Sequence, residues 1–226
     1  MSEATKVQYH YDVKNCVAFF GVKQDDGSID YSQAEPMKLP GLRSFEASAN
    51  GELKKIRADG IDYITVSSNN GYDLKLNFVM IDEAFKQSAL GEKADAQGGQ
   101  YEDADAEPAP FALVVEFKGS VKNKRTVFYN LTASRPNVAG ENKDSMKDPD
   151  EEELDATASP LPATVGTETV NLVKYSIDKT DDTATTWAKM LTEVVFPEAE
   201  TGGGGDNAQG AQNQQETQNQ QGGGNP

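Results

Sequence analysis

The sequence predicts a mainly β fold: an antiparallel β-sandwich or barrel flanked by a short helix and a C-terminal helix, with long loops. Three observations carry this reading. Phe111, Leu113, Val115 and Phe117 share one parity, and beyond the basic turn Lys118–Arg125 so do Val127, Tyr129, Leu131 and Ala133. Successive side chains of a strand leave opposite faces of a sheet, so period-two alternation predicts a hairpin with one face in a core and a charged tip in water. Asn-Gly pairs at 50–51 and 70–71 signal tight hairpin turns, because both residues tolerate positive φ. Helical spacing of apolar residues is confined to two short segments.

In order along the chain, residues 1–12 are polar and predict a flexible arm, followed by one domain over 13–197. Asn15–Val22 reads as a buried strand and Gln24-Asp25-Asp26-Gly27 as a turn. Pro36 and Pro40 interrupt the next segment, and Gly41–Ala49 is a strand. Leu53–Arg57 and Ile61–Ser67 are strands broken at Asp59-Gly60. Over 72–80, Leu74, Leu76, Phe78 and Met80 alternate with Asp73, Lys75 and Asn77, which predicts a half-buried strand. Asp82 is placed to cap a helix over Glu83–Leu90 that Gly91 stops. Residues 93–110 read as a long acidic loop and Asn137–Glu152 as an irregular charged excursion. Leu154–Ala158 and Thr167–Ile177 return to strand character. Asp181 or Asp182 is expected to cap a last helix, on which Trp187, Met190, Leu191 and Val194 form an apolar stripe ended by Pro197. From Glu198 the chain holds no aromatic and no aliphatic larger than alanine, so residues 198–226 are expected to be disordered.

Composition excludes several function classes. The net charge of −16 opposes non-specific attraction to nucleic acid or anionic lipid. No apolar run approaches the roughly 20 residues that span a bilayer. The first residues carry no basic stretch followed by an apolar one, which predicts a chain made in a cytoplasm. Cys16 is the single cysteine, so no internal disulfide is possible. Cys16 and His10, the single histidine, could form a nucleophile pair, but Val17, Phe19 and Phe20 around Cys16 predict a small core residue instead. The acidic clusters Glu102/Asp103/Asp105/Glu107 and Asp148/Asp150/Glu151/Glu152/Glu153 lack calcium-loop spacing and read as solvated. Any two acids could pair as a glycosidase site, and nothing singles out a pair. The Asn130-Leu131-Thr132 sequon falls inside an expected strand. No enzyme activity and no cofactor are expected.

The stretch YEDADAEPAPFALVVEFKGSVKNKRTVFYNLTASRP (Tyr101–Pro136) resembles the signature region of the major tail protein family of long-tailed, non-contractile phages. The likeness extends through ADGIDYITVSSNNGYDLKLNFVMIDEAFKQSALGE (Ala58–Glu92), NVAGENKDSMKDPDEEELDATASPLPA (Asn137–Ala163) and the segment around Trp187, covering most of 10–196. It implies a virion protein, assembled in the host cytoplasm, that closes into hexameric rings and stacks them into the tail tube. The tube would be a hollow, electronegative conduit through which DNA passes without specific binding. Implied partners are further copies of the chain and the tape measure, distal tail and tail terminator proteins. Under this likeness the long assembly loops make subunit and ring contacts, with Asn50, Arg57, Asp59, Asp103, Asp105, Lys143, Asp148 and Glu151 as candidate contact residues. The Gly/Gln/Asn-rich tail departs from relatives that carry an immunoglobulin-like domain there. A competing reading is a β-sandwich adhesin or carbohydrate-binding module of a phage or bacterial surface. That class favours an exposed aromatic platform, whereas Trp187 lies on a helix expected to pack.

Overall fold

A computed structural model describes residues 8–58, 61–138, 140 and 150–199. The strands in chain order begin with β1 (His10–Phe20), β2 (Val22–Lys23), β3 (Ile29–Asp30), β4 (Met37–Lys38) and β5 (Leu42–Ala49). β6 (Leu53–Ala58), β7 (Ile61–Ser67) and β8 (Tyr72–Phe78) lead into helix α1 (Glu83–Leu90). β9 (Lys93–Ala94), β10 (Gln100–Tyr101), β11 (Phe111–Gly119), β12 (Lys124–Ala133) and β13 (Glu152–Ala158) follow. β14 (Leu161–Val165), β15 (Glu168–Leu172) and β16 (Lys174–Asp178) precede helix α2 (Ala184–Lys189). The fold is mainly β, as the alternation predicts.

One antiparallel sheet, ordered β4-β1-β11-β12-β13-β8-β5, organises the molecule, and β16 also pairs with β12. β12 serves two partners on one side: Lys124–Phe128 pair with β16, and Leu131–Ala133 with β13. Between them Asn130 adopts φ 49, and the register with β11 shifts from Phe111↔Leu131 to Leu113↔Phe128. This is a β-bulge: one extra residue on one strand, which turns the following side chains to the other face. Asparagine is one of the few residues that enters the left-handed region readily. The expected single face of Val127, Tyr129, Leu131 and Ala133 is therefore split. Val127 and Tyr129 join a core with Val17, Phe19, Ala112 and Val114, while Leu131 and Ala133 join the opposite core with Phe128. β1 repeats the device at Asn15 (φ 52), so that Val13 and Cys16 share a side.

The first core lies between the sheet's two halves. Phe45 of β5, the far end of the sheet, packs on Phe117 and Phe128 at 5.6 Å between ring centroids. The sheet thus doubles over into a sandwich-like layer pair. Leu74, Leu76 and Phe78 point into this core, and Met80 is exposed, against the expectation that it continues the buried stripe. Helix α1 closes one end. The Asp82 carboxylate accepts the Ala84 N–H at 2.8 Å and Gly91 ends the helix at φ 74, as the capping signals predict. Phe85 is fully buried, edge-on to Phe111 at 5.5 Å, and burial of such a ring contributes about 1.5–3 kcal/mol.

The second core covers the other face of β1, β11 and β12. Leu161, Leu172, Tyr175, Ile177 and Met190 line it, with Val194, Val195 and Phe196 laid across. Phe196 stacks on Tyr129 at 5.2 Å, and the Tyr129 hydroxyl donates to the Val195 carbonyl. The hairpin β11–β12 is therefore buried on both faces, not half-buried. The physical reason is visible in FALVVEF: the second parity holds Ala112 and Val114, and such near-continuous apolar runs suit doubly covered strands.

Other expectations shift. β1 starts at His10, within the stretch expected as an arm. The acidic loop contains the small pair β9–β10, and the strand expected over Thr167–Ile177 is two, with Val173 between them accepting the Tyr129 N–H at its carbonyl at 2.9 Å. The last helix is only Ala184–Lys189, and Thr183, not Asp181 or Asp182, precedes it. The Thr183 hydroxyl donates to the Asp178 carbonyl at 2.6 Å, which fixes the turn before the helix. No helix among the described residues is long and apolar enough to cross a membrane.

Candidate assembly surface

The Asn-Gly pairs are not hairpin turns. Asn50 N–H donates to Gly71 O (2.9 Å), Asn70 N–H to Asn50 O (2.7 Å) and Ser68 N–H to Glu52 O (2.9 Å). The two pairs face each other in the middle of one long ribbon, in which β5 pairs β8 and β6 pairs β7. Glycine is required there by close approach: a Cβ on Gly51 would stand 2.2 Å from Ser68 O, and one on Gly71 1.8 Å from Ala158 O. Ala58 pairs with Ile61 at the far end of this ribbon, and Asp59-Gly60, the break expected between the two strands, lies outside the described residues. Beyond Asn50 the ribbon leaves the sheet and extends by about 25 Å at the rise of a strand.

This outer ribbon, β6–β7, is amphipathic yet exposed on both sides. Ile56 lies opposite Ile64, and Lys54 opposite Val66. By this register, which shifts between Ile56 and Arg57, Ile56, Ile61, Ile64 and Val66 share one side with Lys54, the four apolar residues at 45%, 62%, 48% and 50% exposure. On the other side Asp62 accepts from Lys55 Nζ and Arg57 Nε, both at 2.9 Å. A two-stranded ribbon with an open apolar face is marginal in water, and its unpaired edges offer backbone donors and acceptors to another chain.

The candidate contact residues divide between the two ends of the strand axis. Asn50 and Arg57 lie on the ribbon, Asn50 also bonded from Nδ2 to Asp73 at 3.2 Å. Asp103, Asp105 and Glu151 lie at the opposite end. Lys93 Nζ meets Asp103 at 2.9 Å and holds that carboxyl below the usual range, and Asp103 also accepts the Asp105 N–H at 3.1 Å. Glu151 pairs with Arg43 at 2.8 Å. Asp59, Lys143 and Asp148 lie outside the described residues. The structure thus joins Asn50 with Arg57, and Asp103 with Asp105, but not the two groups.

The outer face of β5, β8 and β13 is wholly polar and acid-rich. Glu46, Asp73, Glu153 and Asp155 stand on it around Lys75, whose Nζ reaches Glu153 at 3.1 Å and Asp155 at 3.7 Å. Hydrogen bonding to Glu153, then the charges of Asp155 and Glu153, raise the Lys75 pKa. The outer edge of β5 has no strand partner among the described residues.

Sequence reasoning missed two features. The exposed apolar face of β6–β7 was hidden because its pattern equals that of a buried strand. The cluster Asn15–Glu116–Arg125–Trp187 was hidden because its members are far apart in sequence. Arg125 donates to Glu116 from Nε (3.0 Å) and Nη2 (2.8 Å) and to the Trp187 carbonyl, and its guanidinium lies 4.3 Å from the Trp187 ring centroid. Asn15 Nδ2 donates to Glu116 at 2.8 Å. This buried clamp fastens α2 to the sheet. Burial lifts the Cys16 thiol to about 12, so it holds no thiolate at neutral pH. Among the described residues no group of three or more His, Cys, Asp or Glu side chains is arranged to hold a metal. The chain matches no protein-family model and no curated protein.

Proposed function

We propose that this chain is the major tail tube subunit of a long-tailed, non-contractile phage, a structural virion protein assembled in the host cytoplasm. One observation carries the proposal: ribbon β6–β7 keeps a largely apolar face in solvent and, among the described residues, two strand edges without a strand partner. A solitary globule gains nothing from that exposure. A polymerising subunit needs it, because burial against a neighbour is then the driving force for association. The order of segments that resembles the tail tube family, from Ala58 to Pro136 and around Trp187, supports the same reading.

In this proposal copies close into hexameric rings and the rings stack into a tube, with the tape measure, distal tail and tail terminator proteins at its ends and interior. The polar face of β5, β8 and β13 faces the lumen. Glu46, Asp73, Glu153 and Asp155 repel passing DNA, and Lys75, bound between two carboxylates, is not free to grip phosphate.

Negative-stain electron microscopy of the full chain at rising concentration tests the reading. Rings with a central hole, or tubes, are the expected result. A chain that remains a monomer at every concentration, and with distal tail proteins added as a template, would remove it. A monomer retained by a glycan array would put the carbohydrate-binding reading in its place.

A further inference from the structure

We propose that Asn50 is a site of spontaneous deamidation through a succinimide, and that the fold spares Asn70 although both residues precede a glycine. The inference stands independently of the polymerising function proposed above.

An Asn-Gly pair places a nucleophile beside an amide carbon. The glycine nitrogen gives up its proton to solvent base and bonds to the asparagine Cγ, the Cγ–Nδ2 bond breaks, and ammonia leaves. One water then opens the five-membered ring at either carbonyl, giving aspartate or isoaspartate. Glycine favours the step because no Cβ hinders the peptide as it turns toward the side chain. The sequence holds this pair only at 50–51 and 70–71, so local chemistry does not separate the two.

Their tertiary surroundings do. Asn50 and Gly51 are both exposed, and the Gly51 N–H has no hydrogen-bond partner among the described residues. The backbone that crowds Gly51, at Ser68 and Asn69, belongs to the same two-stranded ribbon, which is marginal in water and opens locally. The Asn50–Gly51 peptide is held by one bond, from the Asn70 N–H to Asn50 O at 2.7 Å, at the joint where the ribbon leaves the sheet. Local opening of that joint frees the peptide to turn.

Gly71 differs on each count. It is buried, its N–H donates to Asn69 Oδ1 at 3.2 Å, and its carbonyl accepts the Asn50 N–H at 2.9 Å. The contact with Ala158 O wedges it against β13, where Ala158 is fully buried and pairs with Tyr72. Turning the Asn70–Gly71 peptide therefore requires β8 to part from β13, which opens the main sheet and not only the ribbon.

Conversion alters the joint. Asn50 Nδ2 donates to Asp73 at 3.2 Å, and a carboxylate in its place faces the Asp73 carboxylate instead. The isoaspartate product also adds one backbone atom ahead of Gly51, which disturbs the register in which β6 and β7 continue β5 and β8.

The test keeps the full-length chain in warm, mildly alkaline buffer, either folded or unfolded in urea. Tryptic peptides are followed by mass spectrometry for the gain that replacement of the amide by a carboxyl brings. Peptide 44–54 holds Asn50 as its single amide side chain, so it reports on that residue alone. In the folded chain Asn50 is expected to convert about tenfold faster than Asn70, and in urea the two are expected to convert at similar rates. Hydrogen exchange is expected to follow the same order, with the Gly51 N–H at least about tenfold faster than that of Gly71. Asn50→Gln, whose longer side chain closes its ring slowly, is expected to end the mass gain in peptide 44–54. Equal conversion at the two sites of the folded chain, faster conversion at Asn70, or conversion at neither overturns the inference. So does a Gly51 N–H as protected as that of Gly71, a mass gain that survives Asn50→Gln, or a tenfold difference that persists in urea. Each of these leaves the proposed function standing.

Discussion

Arg125 illustrates how much one side chain can organise here. It is buried, as is Glu116, and it satisfies that carboxylate while stacking on Trp187 and bonding to its carbonyl. Removing one partner of a buried pair leaves the other charge uncompensated, at a cost of about 3–5 kcal/mol. Arg125→Met is therefore expected to lower the urea midpoint strongly. Glu116→Leu/Arg125→Met is expected to recover most of that loss, because no lone charge remains buried. Equal destabilisation in the single and double variants would show that packing on Trp187, not charge, is what matters. Asn15 and Asn130 act at the same level of detail. Each takes a left-handed conformation at a bulge and so chooses which of two cores receives the side chains beyond it.

Among the elements, ribbon β6–β7 is the one whose sequence and surroundings disagree. Its apolar alternation matches that of β8, yet β8 buries Leu74 and Leu76 while β6–β7 leaves Ile56 and Ile64 in water. Ile56→Ser/Ile64→Ser changes a half-exposed cross-strand pair that belongs to neither core, so the melting temperature is expected to stay nearly constant; exposed sites usually shift stability by about 0.5 kcal/mol or less. Polymer formation, followed by sedimentation, is expected to fall by an order of magnitude or more. That estimate takes two isoleucines kept from burial, each worth about 1.5–3 kcal/mol. A variant that polymerises as well as the unaltered chain would exclude this face from the contact.

Across the whole chain, the second core ties the two termini of the domain together. Tyr31, from the N-terminal part, lies 6.4 Å from the Phe196 ring centroid, and its hydroxyl accepts the Asn130 N–H at 3.3 Å beside the bulge. Burial pushes the Tyr31 hydroxyl from 10.0 up to about 12, against a smaller opposite effect of the Asn130 hydrogen bond. Burial likewise raises Cys16 to about 12, and it raises Tyr129. All three are neutral in the folded core. Their contribution is complete below the ordinary phenol and thiol range and declines as pH rises toward the elevated values. Alkaline titration followed by tryptophan fluorescence is expected to show stability falling between about pH 10 and 12. Tyr31→Phe should make that fall shallower, since Cys16 and Tyr129 still contribute; an unchanged slope would remove Tyr31 from that transition.

The local vocabulary of the fold was legible in the residues. The capped α1, the hairpin β11–β12 and the strands on either side of Asp59-Gly60 follow from periodicity, caps and turn chemistry, which act over a few positions. The same rules erred wherever a distant contact prevailed. Asn50-Gly51 and Asn70-Gly71 carry a turn signature, but the chain uses their glycines where backbone presses on backbone. FALVVEF reads as half-buried because the layer that covers its second face comes from distant segments, Ile29 and Tyr31 on one side in sequence and β14 to Phe196 on the other. Of the candidate contact residues, Asn50 and Arg57 lie on one ribbon. The ribbon's exposure could not be read in advance, because an apolar stripe has the same spacing whether a core or only water lies opposite. Spacing along the chain sets which side chains share a face; which face is covered depends on long-range packing, and that is settled by the full set of apolar surfaces competing to leave water.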